Sequence, residues 1–221
     1  MGAREISDGS VLPMRSPIHW AVLGLLIERR GHAYDLFQRF DDAYAGAIEL
    51  STHSQINGAL KALEQRGMIE RLPPDEEGPN ARAQPRTRYQ PTAKGLHDYE
   101  QYLLAWSPRS GDAPGVFARQ VGVLPPASAL HAIERFEQAC LAETSSIRLT
   151  REQASPPANA LQLEARLMAE EKHLALAAKI QWARYARSQI RALAREQADA
   201  RVHEPLDAST LMRDRARGSA A

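Results

Sequence analysis

The sequence holds a single cysteine, Cys140, among 221 residues. One thiol cannot form a disulfide within the chain, and it excludes a cysteine-rich zinc site. A reducing, cytoplasmic setting is therefore expected. No apolar run approaches the roughly 18 residues a membrane span needs, so no membrane partner is expected. The opening stretch MGAREISDGSVLPMRS lacks the apolar segment of a secretory leader. Charge of either sign is not in excess: 28 Lys and Arg stand against 27 Asp and Glu, a net +1. That balance argues against coating nucleic acid by bulk charge, and leaves room for a binder whose charge is local. Catalytic signatures are missing as well. There is no P-loop, no G-x-G-x-x-G after a strand, no H-E-x-x-H and no G-x-S-x-G. The 7 histidines are scattered without metal-ligand spacing. Neither an enzyme, a cofactor nor a metal is expected.

What is present is ordinary for a globular chain: 43% hydrophobic and 25% charged residues, at a length suited to one or two domains. Residues 1–16 are polar and read as a flexible arm. Residues 17–106 are a dense block of short elements. Residues 107–125 are rich in Pro and Gly and read as a linker, within which GVFARQVGVL is expected to form a short packed element. Residues 126–201 read as two long helices split at Ser155-Pro156-Pro157, and residues from 202 onward as a frayed tail.

The first block can be read from its punctuation. Pro17 suits a first helical turn, because its missing N–H has no partner there anyway. IHWAVLGLLIERR is apolar on nearly every side, as a central helix must be. Gly31 is expected to end it as a left-handed cap. A second helix from Ala33 to about Ala45 puts Tyr34, Phe37 and Phe40 roughly on one face. Ser51 or Thr52 can cap a third helix. In that helix Ile56, Ala59, Leu60 and Leu63 form the buried i, i+3, i+4, i+7 stripe. The opposite face carries Ser54, Gln55, Asn57, Gly58 and Lys61. Gly67 ends the helix, Met68 to Glu70 open a strand, and TRYQP reads as the returning strand of a long-tipped hairpin. Thr92 caps a fourth helix whose apolar side is Leu96, Tyr99, Leu103 and Trp106.

Three helices, a two-stranded wing and a linking helix make a winged helix-turn-helix. With the helical second half, the fold class is mainly α. The chemistry of the third helix fits such a plan. A helix fills the major groove of double-stranded DNA and its early exposed residues meet base edges. Asn57 and Gln55 can pair with adenine, and Ser54 and Gly58 are short, uncharged neighbours on the same face. Lys61 reaches guanine or phosphate. The wing's returning limb holds Arg82, Arg86 and Arg88 with no acid among them, and such a limb can track phosphates. The acids Asp75, Glu76 and Glu77 on the outgoing limb would have to point away from DNA.

An ordered set of motifs carries a resemblance. LGLL at 23–26, GHAYDL at 31–36, I-x-x-A-L-x-x-L-E-x-x-G-M-I at 56–69 and R-T-R-Y-x-x-T-x-x-G at 86–95 are similar to those of the PadR family of transcriptional regulators. The resemblance covers residues 17–106 well and continues weakly beyond. It implies a homodimer with a C-terminal helical dimerisation domain. It also implies a repressor that binds inverted repeats and responds to a small phenolic or drug-like effector. The family commonly has Tyr where this chain has Asn57, and a Gly-Ser or Gly-Thr pair where it has Ser54-Gln55. The family's operator preference therefore does not carry over.

In the second block, Ile133, Phe136, Cys140 and Ile147 form a packing seam on a helix from about Ser128 to Glu152. Cys140 on that seam reads as a core residue rather than a nucleophile. A helix from about Ala158 to Ala200 carries two stripes, Leu161, Met168, Ala175, Trp182 and Leu167, Leu174, Ala178, Tyr185. Two helices cannot cover both, and dimerisation is the simplest way to do so. Arg184, Arg187, Arg191 and Arg195 recur on one face. They are either solvated or paired with Glu164, Glu170 or Glu171 of a partner helix. Trp106 and Trp182 are candidates to line an aromatic effector pocket, with core packing as the plainer alternative.

Charge divides unevenly. Residues 1–106 carry 12 Lys and Arg against 14 Asp and Glu, and residues 107–221 carry 16 against 13. The block expected to read DNA is slightly acidic, so its binding has to rest on a few placed cations. A winged-helix module that binds protein and not DNA is the competing expectation.

Overall fold

The computed structural model describes residues 14, 16–50, 52–73, 87–107, 114–152 and 159–203. Among the described residues, seven helices and three short strands follow in the order α1 (Pro17–Glu28), β1 (Gly31–His32), α2 (Ala33–Tyr44), α3 (His53–Gln65), β2 (Ile69–Arg71), β3 (Arg88–Pro91), α4 (Ala93–Leu104), α5 (Pro114–Val121), α6 (Pro126–Glu152) and α7 (Ala160–His203). The fold is mainly α, a winged helix-turn-helix joined to a long helical pair.

α1 is the central helix that its all-round apolarity requires. Residues from Trp20 to Leu26 are buried without a break, and α2, α3 and α4 surround it. Arg39 of α2 braces the end of α1. The guanidinium donates to the Leu25 carbonyl at 2.6 Å and to the Arg29 carbonyl at 3.0 Å. Gly31 does not cap α1 in a left-handed conformation. The chain leaves through extended Arg29, and Gly31 enters β1. The wing is correspondingly three-stranded, in the order β1-β3-β2 and all antiparallel. Gly31 lies opposite Tyr89, and Ile69 opposite Pro91.

The stripe of α3 is buried as its spacing dictates, with Ile56, Ala59, Leu60 and Leu63 at 2% exposure or less. Gly67 takes φ +66°, the left-handed region that ends α3 and that a side chain strains. The root of the wing is then fastened by Thr92. Its N–H donates to the Met68 carbonyl at 3.0 Å, and its hydroxyl donates to the Gly67 carbonyl at 2.7 Å. That hydroxyl also accepts from the Gly95 N–H at 3.1 Å, capping α4. Gly95 must lack a side chain, because a Cβ there would overlap the Met68 carbonyl. Two expected core positions face outward. Leu96 is 45% exposed and Tyr34 52%, since the buried sides of α4 and α2 run through Tyr99 and Leu103, and through Leu36, Phe40 and Tyr44.

α5 lies within the Pro- and Gly-rich stretch and buries Val116, Phe117 and Val121. Phe117 joins the two halves of the molecule. Its ring lies 5.0 Å from Trp106, 4.8 Å from Phe136 and 6.0 Å from Trp182. α6 packs antiparallel to α7, burying Ile133, Phe136 and Cys140 against Leu176, Ile180 and Ala183. That seam differs from both expected stripes of α7. Leu161, Leu167, Met168, Leu174 and Tyr185 are all at least 60% exposed. The arginine face settles the register. Arg184 and Arg187 each bind Glu137 at 2.9 Å, and Arg191 binds Glu134 at 3.2 Å. The acids are therefore those of α6 in the same chain, not Glu164, Glu170 or Glu171. Among the described residues, no helix is long and apolar enough to cross a membrane.

Candidate nucleic-acid interface

The exposed face of α3 is built from its N-terminus. Thr52 is the N-cap, and Gln55 reaches back so that its Oε1 accepts from the Thr52 N–H at 3.2 Å. The Thr52 and Ser54 hydroxyls share a hydrogen bond of 2.7 Å. Thr-x-x-Gln is a capping-box spacing, so this work of Gln55 was legible in the sequence but was not read there. The positive end of the helix dipole at such a start favours an anion such as a phosphate.

His53 opens the helix and is clamped by α2. Its ring stacks on Phe37 with centroids 3.5 Å apart and lies parallel to Tyr34 at 6.1 Å. The Tyr34 hydroxyl accepts from Gln38 at 3.2 Å. His53 thus has an aromatic role that fixes where α3 begins. This contact was missed because it needs two helices side by side, which no spacing in one helix reveals.

Ser54, Asn57, Gly58 and Lys61 are exposed on α3, and Gln55 is half-buried beside them. They share one surface, opposite the buried stripe. Arg88 is half-buried on β3, opposite His32. Arg82, Arg86 and the acids Asp75, Glu76 and Glu77 lie outside the described residues. A further cation, Arg71 on β2, is tied to Glu64 of α3 at 2.6 and 3.0 Å. That hydrogen-bonded pair raises the Arg71 pKa and joins the wing to the end of α3.

The two tryptophans separate. Trp106 is 8% exposed in the core. Trp182 is half-buried and lines an apolar cleft between α5, α6 and α7. Two groups bind the winged helix to α5. Glu28 at the end of α1 meets Arg119 at 2.6 Å and Arg39 at 3.3 Å. The Arg119 hydrogen bond, with Arg39 adding to it, holds the Glu28 carboxyl below its ordinary range. The Tyr99 hydroxyl donates to the Gln120 carbonyl at 3.2 Å, and burial pushes that phenol well up. Chemistry is poorly served elsewhere. Burial pushes the Cys140 thiol up to about 11, where little thiolate exists to attack anything. Among the described residues no group of three His, Cys, Asp or Glu is placed to hold a metal.

These features define a winged helix-turn-helix with an exposed polar face on α3. Solved structures similar to the chain are PadR-type regulators, the family the sequence motifs resemble. Bacillus subtilis PadR in complex with operator DNA is 19% identical over 79% of this chain and 99% of that one, with a TM-score of 0.37. The same regulator in complex with p-coumaric acid is 18% identical over 79% and 99%, with a TM-score of 0.36. The PadR-like transcriptional regulator BC1756 from Bacillus cereus is 16% identical over 79% and 98%, with a TM-score of 0.31. No family model matches the chain, and no curated protein matches it in sequence.

Proposed function

We propose that the chain is a sequence-specific DNA-binding transcriptional regulator. It acts as a homodimer on an inverted repeat, as a repressor relieved by a small hydrophobic or aromatic effector. One observation carries the reading. A helix anchored by a capping box, an aromatic clamp and a buried stripe turns Ser54, Asn57, Gly58 and Lys61 outward together. Short uncharged hydrogen-bonding groups with one cation are what base-edge readout requires. Arg82, Arg86 and Arg88 supply phosphate contacts from the wing. Two copies are needed because a single recognition helix reads only one half-site, and the uncovered apolar side of α7 offers the surface for pairing.

The test is binding of the purified chain to its own promoter fragment across a salt series. Asn57→Ala is expected to lose about 1–3 kcal/mol of discrimination between matched and mismatched sites. Lys61→Ala and Arg86→Ala are expected to weaken all sequences alike, each flattening the salt slope by about one unit. Unchanged specificity in Asn57→Ala removes the base contact. A second reading, a winged-helix module that binds protein, draws on the neutralisation of Arg71 by Glu64. Absence of any salt-dependent binding to DNA at low salt would favour it.

A further inference from the structure

Asn57, Lys61 and Glu64 follow one another at i, i+4 and i+7 along one side of α3. The row ends in an acid, which by itself would repel the DNA backbone. It is not left to do so. Arg71, at the end of β2, binds Glu64 side-on. Its Nε donates to Oε1 at 2.6 Å and its Nη2 to Oε2 at 3.0 Å. On the sheet, Tyr89 of β3 lies directly opposite Arg71. The strand itself is fixed, because Thr92 ties the root of the wing to the end of α3. The guanidinium therefore rides on the same rigid base as Asn57 and Lys61, and its side chain is still 60% exposed.

The two bonds to Glu64 use the Nε–Nη2 edge of the guanidinium. Arginine has further N–H donors on its Nη1–Nη2 edge, and these point away from the carboxylate. That free edge is the fork that matches the O6 and N7 acceptors of guanine in the major groove. We propose that Arg71 reads one guanine in each half-site and that Glu64 is its positioning residue. The proposal rests on the reading of α3 as the helix that enters DNA. Three features favour base readout over a phosphate contact or a brace. The pair carries no net charge, so it adds no general attraction for phosphates. Holding one edge of the guanidinium sets the plane and direction of the other, as readout of a planar base edge requires. An ion pair this exposed contributes little to stability, so holding the wing is a poor account of it.

The experiment uses the full chain and its own promoter fragment. Each guanine of the bound half-site is replaced in turn by 7-deazaguanine, which lacks N7. The wild-type chain is expected to lose about tenfold in affinity at one position that depends on Arg71. Glu64→Gln with Arg71→Gln keeps the pair neutral. It is expected to erase that penalty and to leave binding to unrelated DNA unchanged. Arg71→Lys keeps the charge without the fork, and is expected to lose the penalty as well. Glu64→Gln alone releases a cation. It should steepen the salt slope by about one unit and shrink the penalty, because the fork is no longer aimed. A penalty pattern unchanged in the doubled variant, full rescue by Arg71→Lys, or an equal loss on all sequences overturns the assignment. A penalty untouched by Glu64→Gln removes Glu64 from it. The two readings fail differently. A wild-type chain that binds its promoter with no Arg71-dependent guanine overturns this inference alone. One with no salt-dependent binding to DNA overturns the regulator reading and this inference with it.

Discussion

The winged helix and the α6–α7 pair solve the same problem to different degrees. In the winged helix, α1 is wrapped so fully that Ala21, Val22 and Leu23 are at 0% exposure, and the large side chains of α2, α3 and α4 close over it. In the pair, α7 runs for 44 residues, about 66 Å at 1.5 Å per residue, and only one of its sides is covered. Leu161, at 74% exposure, and Met168, at 63%, have nothing over them. Scattered exposed leucines are ordinary, but a row of them along one helix is not. The difference teaches that one region of a chain can close its core completely while the other leaves an apolar side uncovered.

The first way to break that comparison is to cut the ring that joins the two regions. Phe117→Ala is expected to cost about 3–5 kcal/mol, the range for a fully buried Phe. It should also split denaturant unfolding into two transitions, followed by tryptophan fluorescence and far-UV circular dichroism. A single unshifted transition would show that the regions do not depend on this contact. Next, Leu167→Glu with Leu174→Glu is expected to weaken self-association by about 2–4 kcal/mol in analytical ultracentrifugation, while the winged helix keeps its signal. An unchanged mass would place the interface elsewhere.

The third concerns the seam between the regions. Gln120 is fully buried, and neither its amide oxygen nor its nitrogen has a partner. Gln120→Met, close in shape and without the unmet groups, is expected to stabilise the chain by about 1 kcal/mol, read as a raised denaturation midpoint. The smallest effect belongs to His19. Burial, and then the nearby Arg66 charge, lower its pKa. The folded state therefore binds fewer protons than the unfolded one below the ordinary histidine range. Stability should fall as pH drops from about 7 towards 5. His19→Gln is expected to flatten that part of the Tm-against-pH curve, and an unaltered slope would assign it to other groups.

Much of this was legible because it is local. The i, i+3, i+4 stripe of α3, the left-handed Gly67 and the Thr92 cap are properties of a few adjacent residues, and each lies where its spacing put it. What escaped depends on elements meeting. β1 has two residues and no periodicity to betray it, and it exists because β3 passes beside it. The stripes of α7 were equally good candidates to face α6. The choice fell to the set that places Arg184 and Arg187 on Glu137. In the candidate interface the outward side of α3 was predictable from its buried side. The engagement of Gln55 with the helix cap is written in the Thr-x-x-Gln spacing, whereas the clamping of His53 is not, since it needs α2 beside α3.

Thr92 has a consequence for how such a molecule can change. Its three hydrogen bonds to Met68, Gly67 and Gly95 lock the base of the wing to the end of α3. Residues added beyond Leu72 and before Arg88 therefore do not alter the angle at which α3 is presented. Lengthening a loop costs little, about 0.6 kcal/mol for each doubling. The segment between Leu72 and Arg88 can thus drift in length and charge over evolutionary time while α3 keeps its orientation, so insertions there are the changes this architecture tolerates best.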